Sequence, residues 1–133
     1  MRILVDTNIL ISAFVLTSPR ILALMDTLAQ EHTIVLPSYG LKELRRVTWR
    51  KFPQKERQLE QFLCELPFER TETPAVIDVE SYPDLRDRKD LPILLSAILA
   101  DVDILLSGDA DFAPLDLHRP EILTPRAFCE KYG

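Results

Sequence analysis

Arg2-Ile3-Leu4-Val5-Asp6-Thr7-Asn8-Ile9-Leu10-Ile11 decides the fold. An apolar run ends in a carboxylate, a hydroxyl and an amide, and more apolar residues follow up to Leu16. Such a run reads as a strand buried on both faces, the habit of parallel sheets covered by helices. In those sheets ligands sit outside the carboxyl ends of the strands, and Asp6 stands at that position. The pattern recurs. Asp109 follows Ile104-Leu105-Leu106-Ser107-Gly108, and Glu43 lies one turn into a helix after Ile34-Val35-Leu36-Pro37-Ser38. These ends are expected to meet at one acidic site.

Around that stretch the chain reads as a single domain over residues 1–133. With 47% apolar and 28% charged residues and only 3 Gly, it is globular rather than disordered. Its apolar runs stop well short of the about 18 residues a membrane span needs, and its start lacks a cleavable signal pattern. A cytoplasmic protein with no membrane contact is expected. Cys64 and Cys129 are far apart and unpatterned, and His32 and His118 are isolated, which leaves no zinc spacing. The net charge of −5 has the wrong sign for holding nucleic acid by bulk charge. Any nucleic-acid contact must use a local basic patch.

Further along, Ser18-Pro19 starts a helix that runs to about Glu31, and Thr33 to Leu36 is a second strand. Ser38 is expected to cap the next helix, with Leu41, Leu44 and Val47 inward and Lys42, Arg45 and Arg46 outward. Pro53 opens a helix with the stripe Leu59, Phe62, Leu63 and Leu66, and Pro67 to Arg70 suits a short edge strand. From about Thr73 to Lys89 no period is evident, which suggests an exposed connection. Asp90 caps a deeply buried helix from Leu91 to about Ala100. Asp103 to Ser107 and Glu121 to Leu123 read as strands, and Pro125 to Tyr132 as a last helix. Alternating strands and helices indicate an α/β sheet with helices on both faces.

Asp6, Glu43, Asp90 and Asp109, with Asp111 close behind, are the candidate site acids. Clustered carboxylates repel, so proteins rarely gather them without a cation. Oxygen donors with no His or Cys suit Mg²⁺ or Mn²⁺, which activate water and stabilise phosphoryl charge. Asn8 and Ser107 could orient carboxylates or waters. Each acid also has an ordinary structural reading. Asp90 serves as a helix cap, Asp109 suits turn chemistry, and Glu43 can pair with Arg46 at i+3. Trp49 and Phe52 read as packing residues rather than a base-stacking platform.

Taken together these residues resemble the PIN domain, a family of metal-dependent nucleases. Asp6-Thr7-Asn8 matches the family's opening and Glu43 in Leu-Lys-Glu-Leu its second acid. Asp90 before Leu-Pro-Ile-Leu-Leu-Ser-Ala matches the third, and Ser107-Gly108-Asp109 with Asp111-Phe112 the fourth. The similarity is nearest to the toxin branch of toxin–antitoxin pairs. That branch often has an Asp-x-x-Asp-Asp run, here Asp87-Arg88-Lys89-Asp90-Leu91, in which Leu91 replaces the last acid.

The resemblance implies a three-layer α/β/α sandwich around a five-stranded, mostly parallel sheet in order 3-2-1-4-5. It implies Mg²⁺- or Mn²⁺-dependent endoribonuclease activity with Asp6, Glu43, Asp90 and Asp109 as catalytic metal-binding residues, aided by Asp111. It also implies homodimers and a small antitoxin partner. Two basic segments adjoin the acids: Lys42, Arg45, Arg46, Arg50 and Lys51, and Arg86, Arg88 and Lys89. Arg45, Arg46, Arg50 and Arg88 are the candidate RNA contacts. A non-catalytic module that binds RNA or protein is the main alternative. A haloacid-dehalogenase-like phosphatase fits less well, since Asn8 stands where its second Asp is required.

Overall fold

The structure, a computed structural model, describes residues 1–74, 91–108 and 119–132. Five parallel strands form one sheet: β1 (Arg2–Val5), β2 (Thr33–Pro37), β3 (Phe68–Thr71), β4 (Ile104–Leu106) and β5 (Glu121–Leu123). Their order is β3-β2-β1-β4-β5, so the two edge strands are β3 and β5. One row of the register runs Glu69, Val35, Leu4, Leu105, Ile122.

The period of two along each strand divides the core between the faces. Ile3, Val5, Ile34, Leu36, Ile104 and Leu106 join one cluster. There they meet α1 (Thr7–Phe14), α2 (Pro19–Glu31), α3 (Ser38–Lys51), α4 (Glu56–Glu65) and α6 (Pro125–Tyr132). Leu4, Val35 and Leu105 point to the other face, against α5 (Leu91–Leu99). Ile93, Leu94, Leu95 and Ala97 of α5 are buried there, each large side chain contributing about 1.5–3 kcal/mol. No single helix among the described residues is long and apolar enough to cross a membrane.

Several local details differ from the reading of the sequence. The opening apolar run divides: β1 stops at Val5, and Thr7–Phe14 is helical. Asp6 is extended and its carbonyl accepts from Ile9 N at 3.1 Å and Leu10 N at 3.4 Å, which starts the helix. Ile9, Leu10 and Ala13 are buried, so a short helix enclosed by its neighbours carries the same apolar run as a buried strand. Ser38 is the first residue of α3 rather than its cap, a place taken by Pro37. The Ser38 hydroxyl instead accepts from Thr73 N at 2.8 Å, and Tyr39 N donates to Thr73 Oγ1 at 3.1 Å. Pro53–Lys55 is a separate 3₁₀ turn ahead of α4. The irregular connection read from about Thr73 to Lys89 lies almost wholly outside the described residues, as does Asp90.

Candidate metal centre at the carboxyl edge of the sheet

Because all five strands are parallel, their carboxyl ends share one edge. Asp6 follows β1 there and is 8% exposed. Its backbone N–H extends the ladder to Leu106 O at 3.0 Å, so it cannot swing away from β4. Ser107, directly after β4, is fully enclosed and is fixed in turn by its N–H to Leu123 O at 3.0 Å. Its hydroxyl donates to Asp6 Oδ2 at 2.9 Å. The sequence reading gave Ser107 this kind of task.

Glu43 stands on α3, whose first residue directly follows β2. What draws α3 toward β1 is Gly40. The Thr7 hydroxyl donates to Gly40 O at 3.4 Å, and a Cβ on Gly40 would lie 3.2 Å from Thr7 Oγ1 and 3.2 Å from Pro37 Cγ. It would also lie 3.5 Å from Ile93 Cδ1 of α5. The first turns of α1, α3 and α5 therefore converge on one glycine. Glu43 is one turn beyond it, and Asp6 immediately precedes Thr7.

The Glu43 carboxylate is engaged by its neighbour. Arg46 Nη2 lies 2.7 Å from Oε1 and 2.8 Å from Oε2. Burial, and then the Glu43 carboxylate, push the Tyr39 phenol above its ordinary value of 10.0, with Arg46 opposing. Tyr39 therefore stays protonated beside Glu43. Sequence reasoning placed Thr7 in the Asp6-Thr7-Asn8 motif without giving it a task, and did not single out Tyr39 or Gly40. The lone glycine at the start of a helix was the available signal for a close approach.

Other candidates fall differently. Asn8 is exposed in the first turn of α1, and its side-chain amide makes no hydrogen bond among the described residues. Arg45 is occupied by Glu60, at 2.8 Å from Nε, whereas Arg50 has no ion pair among the described residues. Trp49 is 70% exposed, which overturns its reading as a packing residue, while Phe52 is partly buried. Asp90, Asp109, Asp111 and Arg88 lie outside the described residues. Among the described residues no group of three or more His, Cys, Asp or Glu could hold a metal. The acids placed on this edge offer only oxygen donors, a set that fits Mg²⁺ or Mn²⁺ better than zinc.

A family model described as PIN domain matches residues 2–111. Compared by sequence with curated proteins, the chain matches none. Among solved structures it is similar to a crystal structure of VapBC2 from Rickettsia felis bound to a DNA fragment from their promoter. The TM-score is 0.72 at 20% identity, over 93% of this chain and 98% of that one.

Proposed function

This chain belongs to the PIN domain family, and from that premise we propose that it is an endoribonuclease dependent on Mg²⁺ or Mn²⁺. We further propose that it is the toxin of a toxin–antitoxin pair, with a small antitoxin protein as partner. PIN domains are generally nucleases, and the likeness to a VapBC2 structure supports the toxin reading. The observation that carries the catalytic reading is the buried Asp6 carboxylate. It is held by Ser107 on the sheet edge from which α3, the helix that carries Glu43, departs.

In this reading Asp6, Glu43, Asp90 and Asp109 hold the cation, with Asp111 beside them. When bound, it supplies an activated water and stabilises charge on the scissile phosphoryl group. Ser107 fixes the direction of the Asp6 lone pairs. Tyr39, neutral at physiological pH, keeps a phenolic proton beside Glu43 that can be donated to a phosphate oxygen or a water. Arg46 pairs with Glu43, and with a cation bound there it would be free to meet the RNA backbone with Arg50, Arg45 and Arg88.

The test is cleavage of single-stranded RNA with and without Mg²⁺ or Mn²⁺, comparing wild type with Asp6→Asn. Cleavage that requires the metal and disappears in the variant supports the proposal. Equal cleavage by both proteins would refute it. A non-catalytic module has one observation in its favour, the engagement of Glu43 by Arg46. Calorimetric titration separates the two, because a non-catalytic module binds no divalent ion through Asp6.

A further inference from the structure

Trp49 is the only tryptophan in the chain, and among the described residues it is the most exposed of the large apolar side chains. An indole is a large apolar payload that folding normally hides, so 70% exposure leaves its contact area unspent. Its position on α3 is specific. Glu43, Arg46 and Trp49 follow one another at i, i+3 and i+6, and Arg50 stands at i+7 from Glu43. The axial rise from Glu43 to Trp49 is about 9 Å, a distance that a neighbouring nucleotide can bridge.

Beside Trp49 a cavity of about 310 Å³ opens between α3 and α4, lined also by Arg45, Arg46, Leu59 and Glu60. That is at the small end of ligand pockets, which run from roughly 300 to 1,000 Å³. The cavity itself is balanced, with Arg45 and Arg46 against Glu56 and Glu60, and the excess positive charge lies along α3. In a chain of net charge −5, α3 carries Lys42, Arg45, Arg46, Arg50 and Lys51 against the single acid Glu43.

We propose that Trp49 is a stacking platform for a base of single-stranded RNA close to the scissile phosphate. Lys42 and Arg50 then meet the adjoining backbone. The inference rests on the ribonuclease reading and deepens it. Every base has a π-face, so an exposed indole holds any of them, and cations beside it hold the phosphates between them. A base in a duplex is already stacked, which restricts the platform to unpaired strands. Charge favours RNA as the occupant, because Lys42, Arg50 and Lys51 of the same helix have no ion pair among the described residues and are left to meet phosphates.

The single tryptophan makes the test direct. Asp6→Asn protein, which binds without cleaving, is titrated with a single-stranded oligoribonucleotide, and both indole fluorescence and RNA anisotropy are read. Expected are quenching on binding, and about tenfold weaker binding when Trp49→Ala is added. Trp49→Phe should retain most of the affinity, and in protein with Asp6 intact Trp49→Ala should leave metal affinity unchanged. RNA bound with unaltered fluorescence and equal affinity for Trp49→Ala would overturn the stacking role while leaving the ribonuclease reading intact. No RNA binding or cleavage by any variant would overturn both. If Trp49→Ala instead dissociates a dimer or releases a protein partner at unchanged RNA affinity, the indole belongs to a protein interface and the proposal is wrong.

Discussion

Ser107 donates a hydrogen bond from Oγ to Oδ2 of Asp6, 2.9 Å away, although 101 positions separate them in the chain. Both are buried, and both are tied to a neighbouring strand through their own backbone N–H. The carboxylate is thus aimed before any ligand arrives. Groups that orient a metal ligand from behind typically carry about 10–100-fold in affinity or activity. Ser107→Ala should therefore lower RNA cleavage by at least about tenfold and weaken Mn²⁺ binding, with the fold retained. Single-turnover cleavage alongside Mn²⁺ titration checks this. Unchanged rate and affinity would show that Asp6 does not depend on Ser107.

Arg46 and a cation compete for the same carboxylate. Exposed ion pairs contribute about 0.2–1 kcal/mol, so freeing Glu43 should tighten divalent-metal binding by up to roughly fivefold. Arg46→Gln should show that gain, together with weaker RNA binding whose salt dependence is flatter by up to about one slope unit. Calorimetry with Mn²⁺ in metal-free buffer reads the first effect. A fall in metal affinity would mean that Glu43 is positioned by Arg46 rather than blocked by it.

Gly40→Ala sets two effects against each other. Alanine gains up to about 1 kcal/mol of helix propensity, but overpacking costs about 1–3 kcal/mol. The new methyl would sit 3.2 Å from both Pro37 Cγ and Thr7 Oγ1, and neither atom ends a long flexible side chain. A net loss of about 1 kcal/mol is expected in urea denaturation. Cleavage should fall as well, since α3 and α1 must separate. A more stable variant of full activity would show that the approach is looser than these distances imply.

At the opposite edge of the sheet Asp103 accepts from Arg2 N at 2.8 Å and faces Arg119 Nη2 at 2.9 Å. The backbone hydrogen bond from Arg2 holds its carboxyl below the ordinary 3.8; desolvation opposes it, and Arg119 adds to the lowering. Lys131 and Tyr132 do the same for Glu121, below 4.5. Groups depressed in the folded state stabilise it fully above their unfolded values. That contribution is lost as the pH falls through the folded ones. Stability should therefore decline below about pH 4, and Asp103→Asn should flatten the decline. Urea midpoints measured across this range decide it, and equal slopes in both proteins would count against the assignment.

Thr48 is fully enclosed, and its hydroxyl has no hydrogen-bond partner among the described residues. A buried polar atom left unpaired costs about 1–3 kcal/mol. Thr48→Val should therefore be neutral or stabilising by about 1 kcal/mol in thermal or urea unfolding. A clear loss of stability would mean that the hydroxyl finds a partner in solution.

The sequence by itself determined the sheet and the places of the strands. A parallel strand covered on both faces must be apolar throughout, so Ile3-Leu4-Val5, Ile34-Val35-Leu36 and Ile104-Leu105-Leu106 announce themselves, and the polar residues after them mark one edge. It also made Asp6 and Ser107 candidates, because a charge or hydroxyl directly after such a strand serves no packing purpose, and Glu43 one, because it lies one turn into the helix that follows β2. Only the tertiary structure decided that Thr7–Phe14 is a helix, since a short apolar run satisfies a buried strand and a buried helix alike. It alone decided that Arg45 faces Glu60 on another helix, because several partners lie within reach of a long side chain, whereas the i+3 pair of Glu43 with Arg46 was already open in the sequence. It left Trp49 in solvent as well. Position on a helix says which side a residue occupies, and only the neighbouring helix determines whether that side is covered.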